Sequence, residues 1–460
     1  MFFNLLNKSS DNMAVIEAEQ QLTYAQLAEK CADFSQQLAG PRQLIFLKAH
    51  NNIDSLIAYL VALAGQHPLM LLNPAIAEDK LALLIQLYQP NLMIDNLSIS
   101  HLSDKTLSLA EDLSLLLSTS GSTGSAKQVA LSAANLHANA QSICDFLPIQ
   151  QADRTITTLP FFYSYGLSVI NSHLLAGATI VFSHYSFVNR EFWQLFKQQK
   201  INSFAGVPHS YDMLLRLRFE GMQLPSLRYF TQAGGRLAAD KVQKIAQYAQ
   251  QHKKQFFVMY GQTEATARMS YLASELAELK PGSIGRAIPG GKLTLQDQRG
   301  DEINENNIAA ELVYQGANVM LGYAEKGSDL GEFTPHTKLL TGDIAYRDAD
   351  GDFHITGRKK RFIKLIGQRL NLDEVEQLLL ENDLETYCCG DDNRLIVAVL
   401  KNTNINHDSK ALKQLISGRL QLHHTLLHIL CINQLPLTDN GKKDYQAVMK
   451  LVDVSEGKYV

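Results

Sequence analysis

Apolar and polar positions alternate along this chain in two rhythms. Leu44-Ile45-Phe46-Leu47 is a short unbroken apolar run, the pattern of a strand covered on both faces. Asn52 to Ala64 carries an apolar face at helical spacing. Leu69 to Leu72 repeats the strand signal until Asn73-Pro74 ends it. Strand, helix, strand at this spacing predicts parallel βαβ units and an α/β domain. Thr155–Leu159, Ala178–Phe182 and Phe256–Met259 continue the rhythm.

After about Pro281 the texture changes. Short strands are expected at Lys292–Leu295, Ala310–Tyr314, Asp343–Arg347 and Phe353–Thr356, punctuated by Gly300, Gly351 and Gly357. They predict a small antiparallel or β-barrel-like unit. Further on, Asp373 is expected to cap a helix whose Val375, Leu378 and Leu379 share a face. A strand at Leu395–Leu400 and a helix at Ala411–Leu420 complete a small α+β domain. The expected fold class is therefore α/β: a large N-terminal domain of mostly parallel sheets flanked by helices, with the barrel-like unit, followed by the α+β domain.

Composition narrows this picture. The chain has 460 residues, 46% hydrophobic and 19% charged, ordinary for a globular protein of more than one domain. Lys and Arg total 42 against 46 Asp and Glu, so no basic surface for nucleic acid is expected. The five cysteines, Cys31, Cys144, Cys388, Cys389 and Cys431, form no CxxC pair and no disulfide framework. On a strand, Cys388 and Cys389 would face opposite sides and fill core. The longest apolar run, Leu56 to Ala64, is too short to span a membrane. MFFNLLNKSS lacks the basic start and long apolar stretch of a signal peptide. A soluble, cytoplasmic protein is expected.

Candidate chemistry begins where the apolar Leu115-Leu116-Leu117 runs into Ser118-Thr119-Ser120-Gly121-Ser122-Thr123-Gly124-Ser125-Ala126-Lys127. Small residues let backbone N–H groups approach an anion, hydroxyls add donors, and the lysine adds charge. A Gly/Ser stretch can also be a plain linker. The lysine and the position directly after a buried strand favour an anion loop. A Walker loop is excluded, because Ser125 and Ala126 separate Gly124 from Lys127. A helix comes next, with Ser132 as cap, Leu136, Ala140, Ile143 and Leu147 on one face, and Pro148 closing it. The basic run Arg358-Lys359-Lys360-Arg361 reads as a solvated hinge rather than a targeting patch. His423, His424 and His428 could share a helix face, but with no carboxylate beside them an exposed face or core packing is preferred to a metal site.

The segment Thr119 to Lys127 resembles the signature loop of the adenylate-forming (AMP-binding) superfamily: acyl-CoA synthetases, luciferases and nonribosomal-peptide adenylation domains. Ala126 and Gln128 depart from the usual proline and glycine. Further segments resemble the family's motifs in order along the chain: Gly234-Gly235-Arg236, Tyr260-Gly261-Gln262-Thr263-Glu264, Thr341-Gly342-Asp343, Gly357-Arg358 through Glu376, and Leu437 to Lys442.

The resemblance implies that Thr119, Ser120, Gly121, Ser122, Thr123, Gly124 and Lys127 hold the phosphates of ATP. Gly234, Gly235, Tyr260 and Gly261 would line the nucleotide, with Asp343 on the ribose and Arg358 as a second contact. Thr263 would bind the α-phosphate and Glu264 would hold Mg²⁺. Lys442 would be the catalytic lysine of a small mobile C-terminal domain, residues 360–460, that turns at Lys360 against the AMP-binding domain, residues 1–359.

Leu159 to Gly166 resembles the segment lining the acyl pocket, which assigns Tyr163, Tyr165 and Gly166 to the substrate. Val207, Tyr211, Ala233 and Ala265 are further lining candidates. No acid occurs from Leu159 to His184, so an α-amino acid, whose ammonium needs a partner, is disfavoured against an aryl or acyl acid. The implied reaction joins a carboxylic acid to a thiol, coenzyme A or the phosphopantetheine of a carrier protein, through acyl-AMP with release of pyrophosphate. The alternatives are a relative that only binds nucleotide, and an enzyme adenylating an amino acid for a carrier protein.

Overall fold

A computed structural model describes the chain apart from residues 5–9, 119–125, 335, 337, 366–367, 382–383, 392, 401–408, 421, 439–441 and 456–460; of side chains it also leaves aside 360, 362, 364, 368–369, 409–411, 415, 419 and 453–455. The residues group into two compact units, 1–293 with 314–339, and 294–313 with 340–460. This division differs from the expected boundary at 359/360. Asn371 donates to the Thr356 carbonyl and Asp373 accepts from the Arg358 N–H, so strand Phe353–Arg358 groups with the C-terminal residues.

The first unit holds two sheets. In one, the parallel strands Gln255–Tyr260, Tyr229–Gln232, Ser203–Gly206, Arg154–Ile156, Thr179–Phe182 and Met13–Glu17 stand in that order, with antiparallel strands at both edges. In the other, Leu113–Ser118, Leu69–Leu72, Ile45–Lys48 and Leu92–Asp95 are parallel, again with antiparallel edges. The helices between strands form where expected. Asn52 caps Ile53–Ala64 by accepting from Ser55 N at 2.9 Å, and the residues from Leu56 to Leu63 are all buried. A helix apolar all round belongs in a core, not on a surface. Ser132 caps Ala133–Phe146 in a reciprocal capping box with Asn135, and Leu136, Ala140 and Ile143 turn inward.

Two local expectations change. The strand expected at Thr155–Leu159 ends at Ile156. Pro160 lacks an N–H for a ladder, and Asn51 binds the chain there instead, donating to Leu159 O and accepting from Phe161 N. A strand not foreseen, Gln128–Ser132, pairs antiparallel with Leu113–Ser118, so the Ser/Thr/Gly segment joins two strands before the helix begins.

The second unit carries a five-stranded sheet in the order Glu302–Ile303, Lys292–Gln296, Ala310–Gln315, Leu339–Arg347, Phe353–Arg358, antiparallel in its outer pairs. The ribbon Phe362–Leu365/Gln368–Asn371 comes next, then a three-stranded sheet of Thr386–Asp391, Arg394–Leu400 and Leu427–Ile432. Cys388 packs into one apolar cluster with Val375, Leu379 and Ile416, and Cys389 into another with Val448 and Val452, on opposite faces as expected. Asn371, not Asp373, caps helix Leu372–Leu380. Asp373 sits inside its first turn, where a carboxylate suits the helix dipole. No described helix is long and apolar enough to cross a membrane.

Candidate active site

Strand Gln255–Tyr260 delivers Gly261 to a tight reversal. A Cβ at Gly261 would stand 1.7 Å from the Ala267 carbonyl oxygen, so only glycine lets the two backbones meet. Thr263–Ala265 form a short 3₁₀ turn, and Thr266 and Ala267 take positive φ of 56° and 102°. Non-glycine residues hold such angles only where the surroundings fix them. Here Asn318 does: its amide donates to Ala265 O at 2.7 Å and Arg268 O at 2.9 Å, and its own carbonyl accepts from Thr266 Oγ1. Asn318 is itself held by the Tyr314 hydroxyl, and Asn139 donates a further bond to Arg268 O.

On that turn, Thr263 Oγ1 lies 3.2 Å from Ser164 Oγ, and Glu264 Oε1 accepts from the Tyr323 hydroxyl at 3.0 Å. The Lys127 ammonium lies 3.5 Å from the centre of the Tyr323 ring. Burial and the Glu264 carboxylate together push the Tyr323 phenol up, so it stays protonated and donates. Lys127 and Glu264, far apart in sequence, thus meet at Tyr323, with Thr263 next to Glu264 on the turn. The Tyr323 residue was not foreseen; no periodicity or motif marks it.

Ser164 belongs to the segment of Tyr163, Tyr165 and Gly166. Both tyrosines are buried, edge to face at 6.2 Å between ring centres. The Tyr165 hydroxyl meets Thr231 Oγ1 at 2.8 Å, and burial pushes both phenols up. A Cβ at Gly166 would sit 2.3 Å from Pro160 O, and one at Gly234 (φ +85°) 2.7 Å from the Tyr163 hydroxyl. Val207 and Ala233 are buried in the same cluster as the two tyrosines, together with Met259. Ala265 is buried on the turn itself, and Gly235 is tied down by Gln232 Nε2 at 2.8 Å. The Tyr260 hydroxyl accepts from Gln262 Nε2 at 3.3 Å.

Arg268 was not foreseen either. It is 1% exposed, its guanidinium carbon lies 3.9 Å from the centre of the Tyr165 ring, and its Nη1 makes no hydrogen bond. The signal available was an arginine inside the otherwise uncharged run Ala265 to Leu272.

In the second unit, Thr341 Oγ1 donates to Leu312 O and accepts from Asp343 N. Arg358 Nε donates to the buried Asp343 carboxylate at 2.9 Å, so the two expected nucleotide contacts bind each other. Lys442 N donates to Thr438 Oγ1, and Thr438 N donates to Lys442 O, closing a small loop. The next residue, Lys443, reaches Glu376 at 2.7 Å, and so does the Tyr445 hydroxyl at 3.1 Å.

Lys360 lies in the 3₁₀ turn Lys359–Arg361. Of the basic run, Arg358 and Lys359 are exposed as expected, whereas Arg361 is mostly buried, paired with Asp373 and Glu376 and stacked 3.8 Å from the Tyr445 ring centre. Two carboxylates and an aromatic face compensate its desolvation. His423 and His424 flank a 3₁₀ start and His428 lies on strand Leu427–Ile432, so they share no helix face. The expectations for Thr119, Ser120, Gly121, Ser122, Thr123 and Gly124 lie outside the described residues.

Residues 101–324 match the family model of the AMP-binding enzymes. The chain is 28% identical over 347 residues to indoleacetate–CoA ligase of Aromatoleum aromaticum, covering 74% of this chain and 67% of that one. It is 26% identical over 433 residues to oxalate–CoA ligase of Arabidopsis thaliana, covering 82% of each. Its fold is similar to O-succinylbenzoate coenzyme A synthetase from Bacillus subtilis in complex with ATP and magnesium ion, with a TM-score of 0.78 at 19% identity over 97% of this chain and 98% of that one. Residues 101–324 are thus similar to the AMP-binding enzymes, and the chain is similar to CoA ligases of carboxylic acids.

Proposed function

We propose that the protein is an ATP-dependent, AMP-forming acid–thiol ligase. One observation carries the reading: the 3.2 Å contact between Ser164 and Thr263 joins the aromatic Tyr163–Gly166 segment to the turn bearing Glu264, beside Lys127. Groups suited to phosphate and groups suited to an acyl chain therefore adjoin. In the first half-reaction a carboxylate oxygen attacks the α-phosphorus of ATP, and pyrophosphate leaves with the bonding pair. In the second, a thiol attacks the acyl carbon, loses its proton, and AMP leaves.

Lys127, with residues 119–124, would neutralise phosphate charge, and Thr263 would donate to the α-phosphate. Glu264 presents hard oxygen of the kind Mg²⁺ takes from one carboxylate plus substrate phosphates and water. When bound, Mg²⁺ lowers the negative charge that repels the incoming carboxylate. Gly234, Gly235, Tyr260 and Gly261 would border the base, and Asp343 and Arg358 would hold the ribose. Lys442 would stabilise charge on the α-phosphate and the attacking carboxylate during adenylation, and Lys360 would be the hinge between residues 1–359 and 360–460. The named relatives act on acids as different as indoleacetate and oxalate, so they leave the acid and the thiol open. Pyrophosphate release over a panel of carboxylic acids, repeated with coenzyme A and with a phosphopantetheine carrier protein, tests the reading. Acid-dependent release is expected, with at least one thiol converted to a thioester.

A further inference from the structure

Arg268 presents a problem that the turn around it does not solve. Its backbone is well held, since its carbonyl accepts from both Asn139 and Asn318. Its side chain is not. The guanidinium is fully buried, yet among the described residues no carboxylate pairs with it. Nε meets only the Met259 thioether, at 3.3 Å, and Nη1 meets nothing. A thioether is a weak acceptor, and arginine cannot shed its proton to escape the apolar surroundings. The charge instead faces the ring of Tyr165, in the aromatic cluster with Tyr163, whose hydroxyls stay neutral because burial pushes both phenols up. Stacking on a ring offsets part of the desolvation but leaves the Nη1 donors unmet. A buried, forked cation with an unmet donor is complementary to a planar anion.

We propose that Arg268 receives a second carboxylate on the substrate, so that the acid activated here is a dicarboxylic acid. The proposal rests on the acid–thiol ligase reading. One carboxylate is the one activated beside Thr263. The other, at the far end of the acyl group, pairs with Arg268 over Tyr165.

The experiment compares acids of matched chain length, hexanoate with adipate and benzoate with terephthalate, by pyrophosphate release from the full chain. The diacid of at least one pair is expected to be preferred in kcat/KM by on the order of 100-fold, the discrimination open to a site with a buried polar group that the wrong substrate leaves unpaired. Arg268→Met, close in volume and uncharged, should remove that preference mainly through KM while sparing the monoacids. Its melting temperature should be unchanged or higher, because an unpaired buried charge is gone. If Arg268→Met does not fold, Arg268→Gln takes its place.

Preference for monoacids in both pairs would overturn the proposal and leave the ligase reading standing. So would an equal loss for both acid classes in the folded variant. Thermal shifts separate the two ideas when no acid releases pyrophosphate. A diacid that raises the melting temperature of the wild type but not of Arg268→Met supports the anion site without the ligase; no shift overturns both.

Discussion

His173 shows how one buried side chain couples stability to pH. Its Nδ1 donates to Val169 O at 2.7 Å, and its Nε2 accepts from the Tyr229 hydroxyl at 3.0 Å, the partners of a neutral imidazole. Burial opposes the charged form and pushes its pKa down to about 4 from 6.5. The folded value lies below the unfolded one, so the unfolded chain binds the proton first as pH falls. The stabilisation is whole above pH 6.5 and is lost as pH falls towards about 4, to the extent of roughly 3 kcal/mol. Urea denaturation of wild type and His173→Gln from pH 7.5 to 4.5 should show a steeper loss in the wild type; equal slopes would assign the acid sensitivity elsewhere. At this scale the sequence was legible where a motif named the residue. Glu264 and Lys127, each named by a motif, both meet Tyr323, and Thr263 precedes Glu264 on the same turn. Tyr323, Asn318 and Arg268 carry no local signal, because each acts through contacts far away in sequence.

Among elements, the turn after strand Gln255–Tyr260 is the critical one. It combines positive φ at Thr266 and Ala267 with a backbone approach at Gly261, and Asn318 supplies two of the bonds that hold it. Asn318→Ala leaves two buried carbonyls with fewer donors and the Tyr314 hydroxyl without its acceptor. The expected cost is about 2–4 kcal/mol of stability. Adenylation should slow more than this loss alone predicts, since Thr263 and Glu264 ride on the same turn; thermal melting and kcat, measured together, separate the two effects. The strand and helix rhythm of the chain was readable because apolar runs and caps are local. The strand Gln128–Ser132 was missed because its residues alternate weakly and its partner lies across the loop. The end of the strand at Ile156 was missed because Asn51 is remote from it in sequence.

At the scale of the molecule, two half-reactions with different traffic, pyrophosphate out and thiol in, require two arrangements of the catalytic groups. Lys360 is the residue proposed to turn between them. Proline there fixes φ and restricts Lys359. Lys360→Pro is expected to spare adenylation in large part and to lower thioester formation much further. Single-turnover rates for each step check this, and equal losses would retire the hinge. The compact units group the residues differently from the expected boundary at 359/360. Residues 340–358 are expected in the barrel-like unit of the N-terminal domain, and Asn371 and Asp373 bind the end of strand Phe353–Arg358 to the C-terminal residues. Lys442 provides the most direct test of the whole account. Acid-dependent exchange of pyrophosphate into ATP should be robust in the wild type and fall by on the order of 100-fold or more in Lys442→Ala, the effect of removing one preorganised charge, while thioester formation from supplied acyl-AMP persists. No acid-dependent exchange in folded wild-type protein, or exchange undiminished in Lys442→Ala, would contradict it.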